Sequence, residues 1–171
     1  MFFYSLIKSV FQMLHSEISP VEIGFGAALG AFIGFSPYMT PQNVLIFLLI
    51  FLLKVNVGAA TLSAGVFAII AQFLDPVFDK IGYALLVNAN FLTPFWTKLY
   101  NMPIVPFTKF YNTVVLGSFV SAIIFFIPVY LFSKWFIVYY REKLQVKVQN
   151  WKVWKIFKLD KLINIYSKYQ Q

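Results

Sequence analysis

The chain has 171 residues, of which 60% are hydrophobic, 20% aromatic and only 12% charged, and its formal net charge is +8. Soluble domains carry about 25% charged residues, so this composition argues for a chain dissolved in lipid and against a soluble enzyme. The absence of cysteine also excludes disulfides, thiolate metal sites and cysteine nucleophiles.

The length suits one compact membrane domain. At its start, Met1-Phe2-Phe3-Tyr4-Ser5-Leu6-Ile7 has no basic stretch ahead of the apolar run and no small-x-small site after it, unlike a cleaved signal. Residues 2–15 are expected to form an amphipathic helix at the interface, with Lys8, Gln12 and His15 toward water. His15 is the single histidine; with no neighbouring ligand it reads as a surface residue, and no metal site is expected.

Helix-start signals then punctuate the chain. Ser19-Pro20-Val21-Glu22 fits a capping box with proline at the first helical position. Thr40-Pro41, Asp75-Pro76 and Thr93-Pro94 repeat the cap-then-proline pattern, so helices are expected to start near 20, 41, 76 and 94. Residues 23–53 hold no charge. As one helix they would be about 46 Å long, against a hydrocarbon core of about 30 Å. Pro37 and Pro41 interrupt them, so two arms, 20–35 and 41–53, are expected to form a re-entrant hairpin or a pair of short tilted spans.

Residues 55–74 are uncharged and rich in small side chains (Gly58, Ala59, Ala60, Ser63, Ala64, Gly65), as in a span packed against other helices. Residues 114–132, with thirteen Val, Leu, Ile or Phe among nineteen, form the clearest span, and Pro128 is expected to kink its last turn. Between the spans, 76–110 is assigned to the membrane surface, with Phe91, Phe95, Trp96, Tyr100, Phe107, Phe110 and Tyr111 as an aromatic belt. The expected architecture is therefore all-α: a membrane domain over 1–133 and a basic amphipathic tail over 134–171.

From Lys134 onward nine basic residues face two acidic ones, Glu142 and Asp160. This aromatic, lysine-rich tail, including Trp151, Lys152, Trp154, Lys155 and Lys158, suits anionic headgroups at a membrane surface; it lacks any nucleic-acid motif. By parity of the spans, the tail shares a side with the N-terminus. The positive-inside rule makes that side the cytoplasm of a multi-pass inner-membrane protein.

Three constellations stand out. Gly26, Gly30 and Gly34 are spaced by four and make a bare helix face; it packs the hairpin's own second arm or docks a lipid or protein partner. Ser36, Tyr38, Thr40, Gln42 and Asn43 put hydroxyls and amides at the hairpin tip, as a polar ligand pocket or as groups satisfying broken backbone. Glu22 and Lys54 flank the hairpin, as an ion pair or gate, or as a cap and a snorkelling anchor. Asp75 and Asp79 read as a helix cap and a first-turn acid. No catalytic motif and no cofactor fingerprint is present, so no enzymatic activity is expected.

The run Ile23-Gly24-Phe25-Gly26-Ala27-Ala28-Leu29-Gly30-Ala31-Phe32-Ile33-Gly34-Phe35-Ser36-Pro37, then Gln42, then Leu53-Lys54-Val55-Asn56-Val57-Gly58-Ala59-Ala60, resembles the bacterial domain-of-unknown-function family 2062. That pattern is a glycine-rich helix, a proline turn, an apolar run and a basic-x-Asn element. The resemblance extends through Leu99-Tyr100-Asn101-Met102-Pro103 and Tyr111-Asn112-Thr113 to a short subgroup of small polytopic membrane proteins. The chain departs from it with Asp75-Pro76 in place of Asn-Pro and with Tyr38-Met39 in the turn. The resemblance implies a bacterial membrane protein, associated with envelope lipid or glycan biology. The expected function is a non-enzymatic component of lipid handling acting with a protein partner or as a homo-oligomer. An assembly subunit binding another protein's helices is the alternative, and a small transporter the third.

Overall fold

The computed structural model describes residues 18–37 and 40–144, and every regular element among them is helical. Two units are distinguished, 18–134 and a second to which 135–144 belong. The expected interfacial helix over 2–15 and the tail beyond 144 lie outside the described residues.

Helix α1 (Pro20–Phe35) begins as its sequence predicts. The Val21 amide donates to Ser19 Oγ at 3.2 Å, Pro20 occupies the first turn where no amide proton is needed, and Glu22 lies against the positive helix end. The helix stops where Ser36 turns extended ahead of Pro37. Helix α2 (Pro41–Leu52) starts after Thr40, again with proline in its first turn but with no side-chain cap. Its inner face is Asn43, Ile46 and Ile50, at helical spacing. Val44, Leu45, Phe47, Leu48, Phe51 and Leu52 are all exposed on the outside.

Lys54, in the left-handed region at φ 51°, reverses the chain into α3 (Val57–Tyr83). Asn56 caps α3, its Oδ1 accepting from the Ala59 amide at 2.7 Å. The Asn56 amide itself donates to the Glu22 carbonyl oxygen at 3.2 Å. The hairpin thus returns the chain to the level at which it began.

Helix α3 does not stop at Asp75. Pro76 lies inside it, which corrects the helix start expected there, the capping role given to Asp75 and the first-turn position given to Asp79. Pro76 is exposed, so the carbonyl its ring displaces can tilt outward. Two residues on, Phe78 is 1% exposed and anchors the helix in the core. A π-helical turn, Ala84–Asn88, extends α3. A 3-10 turn (Asn90–Leu92) leads into α4 (Thr93–Tyr100), and a second (Val105–Thr108) ends at Lys109 in the left-handed region at φ 55°. Helix α5 (Thr113–Tyr139) follows, with Asn112 Oδ1 accepting from the Val115 amide at 3.1 Å. It runs well past Pro128, so that proline is not in its last turn.

Helices α1 and α3 run side by side in the same direction, joined along the glycine face. A β-carbon on Gly26 would come within 2.5 Å of the Asn56 carbonyl oxygen, one on Gly34 within 2.6 Å of that of Ala64, and one on Gly30 would overlap that of Ala60. Only glycine admits such backbone contact. Ser63 Oγ adds a bond to the Ala27 carbonyl oxygen at 2.6 Å. The face therefore packs against the following long helix, not against the hairpin's second arm.

Helix α5 returns antiparallel to both. Phe25 meets Tyr130 at 4.5 Å between ring centroids, Phe32 meets Phe119 at 5.5 Å, and Phe35 sits among Phe67, Phe78 and Phe125. A second close crossing joins α3 to α5: side chains on Gly82 and Gly117 would overlap the carbonyl oxygens of Thr113 and Phe78. Asp79 accepts a hydrogen bond from the Thr113 hydroxyl at this crossing. Residues Val57–Asn88 and Thr113–Lys143 form two helices long and apolar enough to cross a membrane. In the second unit, Trp135 stacks on Tyr139 at 5.5 Å and Lys143 Nζ lies 5.9 Å from the Tyr139 ring.

Candidate functional site

The hairpin tip is where the fold encloses polar groups. Thr40 and Asn43 are each 2% exposed. Thr40 stands at the N-cap of α2 without capping it through its side chain. Its carbonyl accepts from the Asn43 amide at 2.9 Å and the Val44 amide at 3.3 Å, while its buried Oγ1 has no partner. Ser36 is partly buried at the end of α1, and Tyr38 lies outside the described residues.

Gln42 leaves the tip and reaches the segment that precedes α5. Its Nε2 donates to the Thr108 carbonyl oxygen at 3.2 Å. Because that oxygen only accepts, the amide orientation is fixed: the NH2 faces Thr108, and Oε1 points elsewhere. Oε1 is buried and has no partner.

Beside this bond lies a cavity of about 340 Å³, within the size range of small-molecule sites. Helix α4 and the turns after it supply Phe95, Trp96, Leu99, Val105, Thr108 and Phe110, and α5 supplies Val115, Leu116, Phe119 and Val120, with Gln42 at the edge. None of these eleven side chains is charged. Trp96 forms a rigid wall: its Nε1 donates to the Leu85 carbonyl oxygen at 2.9 Å, within the π-helical turn, and its ring stacks on Phe110 at 5.9 Å. Such turns shift the register of main-chain bonding by one residue, and the indole fastens α4 to that turn.

The structure thus splits the aromatic set expected to form a belt. Phe91 is 82% exposed and Phe107 70%, whereas Phe110 is 8% exposed and Trp96 faces the cavity. Of the described polar tip residues, Gln42 lines the cavity, and Ser36, Thr40 and Asn43 do not. Thr108, Leu116 and Phe119 were not singled out by sequence; Thr108 matters through its main chain, which no side-chain pattern reveals. Glu22 and Lys54 are both exposed, and the bond recorded at that end is the main-chain one from Asn56 to Glu22. Trp151, Lys152, Trp154, Lys155 and Lys158 fall outside the described residues.

A family model described as "Uncharacterized protein conserved in bacteria (DUF2062)" matches residues 5–145. The chain belongs to this family. The family's basic-x-Asn element acquires a structural meaning here: Lys54 takes the left-handed turn, and Asn56 both caps α3 and closes the hairpin onto Glu22. The glycine-rich run of this DUF2062 chain is the α1 face against α3. An uncharacterized protein of Treponema pallidum (strain Nichols) is 28% identical over 142 residues, covering 83% of this chain and 87% of that protein. No solved structure matches.

Proposed function

We propose that the protein is a non-enzymatic component of lipid handling in the bacterial inner membrane, holding a lipid chain in the cavity between the hairpin tip and segment 90–112. In this reading α3 and α5 span the bilayer, the α1–α2 hairpin re-enters it, and both termini are cytoplasmic. The observation that carries the reading is the cavity itself: an uncharged, aromatic-walled space with one amide at its edge. Such a lining suits an apolar chain and would leave an anionic headgroup unpaired.

The rest of the surface supports the same environment. Large apolar side chains on the outer faces, among them Leu52 at 74%, Phe73 at 80% and Ile127 at 64%, are exposed, while Thr40 and Asn43 are enclosed. Water would reverse that arrangement; lipid favours it, since irregular backbone at membrane depth must be covered by protein. The cationic tail gives a second attachment to anionic headgroups. The exposed aromatics of 90–112, Phe91 and Phe107 among them, offer a surface for a membrane partner or a second copy.

The test is retention and transfer of lipid. Purified protein in nanodiscs should keep phospholipid or polyprenyl phosphate bound through gentle delipidation and speed its exchange with acceptor vesicles. A Val120→Trp variant, with its cavity filled, should do neither. Wild-type protein indistinguishable from empty nanodiscs in both assays, with or without a co-purifying partner, contradicts the proposal.

A further inference from the structure

The cavity has an identifiable mouth. Of its lining side chains Phe95 alone is exposed, at 52%; the rest are buried or half-buried. Phe95, Trp96 and Leu99 share one face of α4 at helical spacing, and the Phe95 ring meets Trp96 edge-on at 4.9 Å between centroids. Lys98 borders that face on the Phe95 side, three residues on, which puts the two Cβ atoms about 5–6 Å apart. Its exposed side chain therefore stands beside the mouth. The charge in this part of the chain is one-sided: no acidic residue occurs between Asp79 and Glu142, whereas Lys80, Lys98 and Lys109 all precede α5. In the orientation proposed above, this is the side on which membrane proteins carry fewer basic residues, so a cation at the mouth calls for an anionic partner.

We infer that the cavity's occupant is an anionic lipid: one chain passes Phe95 into the cavity, and the headgroup phosphate stays at the mouth against the Lys98 ammonium. This rests on the lipid-holding reading above and adds the charge of the headgroup and its place. With no charged side chain in the lining, a phosphate drawn inside would be left unpaired. At the mouth it keeps its water and gains a cation. The apolar walls take different chains alike, so Lys98 is the specificity residue. Its position in the last turn of α4 also complements the negative helix end, a role that lipid composition does not alter.

The experiment is photocrosslinking mapped by mass spectrometry, on the full chain in phosphatidylcholine nanodiscs. The probes are phosphatidylglycerol and phosphatidylcholine with identical chains, each carrying a diazirine at mid-chain. Crosslinks on Leu99 and Leu116 report the cavity. Those on Leu48 and Phe51, exposed on the outer face of α2, report bulk lipid and correct for lipid drawn to the basic tail. The corrected cavity signal should be about five-fold higher for phosphatidylglycerol, as expected for one cation at a membrane surface, and should fall toward parity as salt is raised. Lys98→Gln should bring phosphatidylglycerol down to the phosphatidylcholine level, Lys98→Arg should keep the preference, and Val120→Trp should remove the cavity signal of both probes. Thermal unfolding of the Lys98 variants shows that they are folded. Parity in the wild-type protein, or a preference that survives Lys98→Gln or high salt, overturns the inference. If the probes label the cavity equally and Val120→Trp removes both signals, the headgroup chemistry fails and lipid holding stands. If neither probe labels Leu99 and Leu116 above the Val120→Trp variant, lipid holding fails and the inference fails with it.

Discussion

Two contacts of α5 and its neighbours are built on opposite principles. Along the α1–α3 face and at the α3–α5 crossing, glycines bring main chain against main chain, and nothing larger than hydrogen fits at Gly30, Gly82 or Gly117. Between α2, α4 and α5 the side chains are large, yet they leave a cavity of about 340 Å³. Apolar association alone cannot drive helices together in lipid, so close packing and hydrogen bonds must do so. The glycine seam therefore supplies cohesion, and the loosely filled side is where the proposed lipid site lies.

Substitutions that add volume separate the two regions most sharply. Gly30→Leu must force α1 off α3, and the expected outcome is a loss of about 3 kcal/mol or more of stability, seen as aggregated or unfolded protein after solubilisation. Any loss of partner binding in this variant would reflect the chain's own fold, since Gly30 packs on the Ala60 main chain. Gly117→Ala at the second crossing should cost nearly as much, because the group it meets is the Phe78 carbonyl and not a movable side chain; thermal unfolding in detergent measures both.

Smaller effects follow where only a hydrogen bond is removed. Ser63→Ala loses the bond to Ala27 across the seam, for an expected cost of about 0.6–1.7 kcal/mol, measurable by steric trapping. Trp96→Phe keeps the wall but frees the Leu85 carbonyl. Its expected cost is about 1 kcal/mol, with faster amide exchange confined to 84–96. Smallest of all, Val120→Phe enlarges a side chain as Gly117→Ala does, but into the cavity, and should change stability by less than about 1 kcal/mol in either direction. Equal damage from Val120→Phe and Gly30→Leu would erase the distinction between the two regions.

Much of this was legible in the sequence for local reasons. Ser19-Pro20 and Thr40-Pro41 start helices because proline's missing amide proton matters least in the first turn. The same pattern misleads at Asp75-Pro76, where Phe78 and Gly82 pack on α5 and carry the helix through. The glycine repeat announced a close contact but not its partner. Spacing along one helix is blind to which neighbour approaches, and α2 presents only large apolar side chains on its inner face below Asn43. The second crossing was less visible, since Gly82 stands alone; the run of small residues Gly117, Ser118, Ser121 and Ala122 on α5 is its trace. The cavity could not be read at all. Its walls come from segments far apart in the chain, and its polar edge depends on the main chain of Thr108.

The proposed fold-back of segment 20–53 inside the hydrophobic layer underlies the proposed span assignment, orientation and cavity depth. The chain has no native cysteine, so Glu22→Cys and Lys54→Cys can be labelled singly against a clean background. With an impermeant maleimide applied to sealed inner-membrane vesicles of known orientation, both positions should react from the cytoplasmic face only. Reaction of the two from opposite faces would show that the hairpin crosses the membrane instead of returning within it.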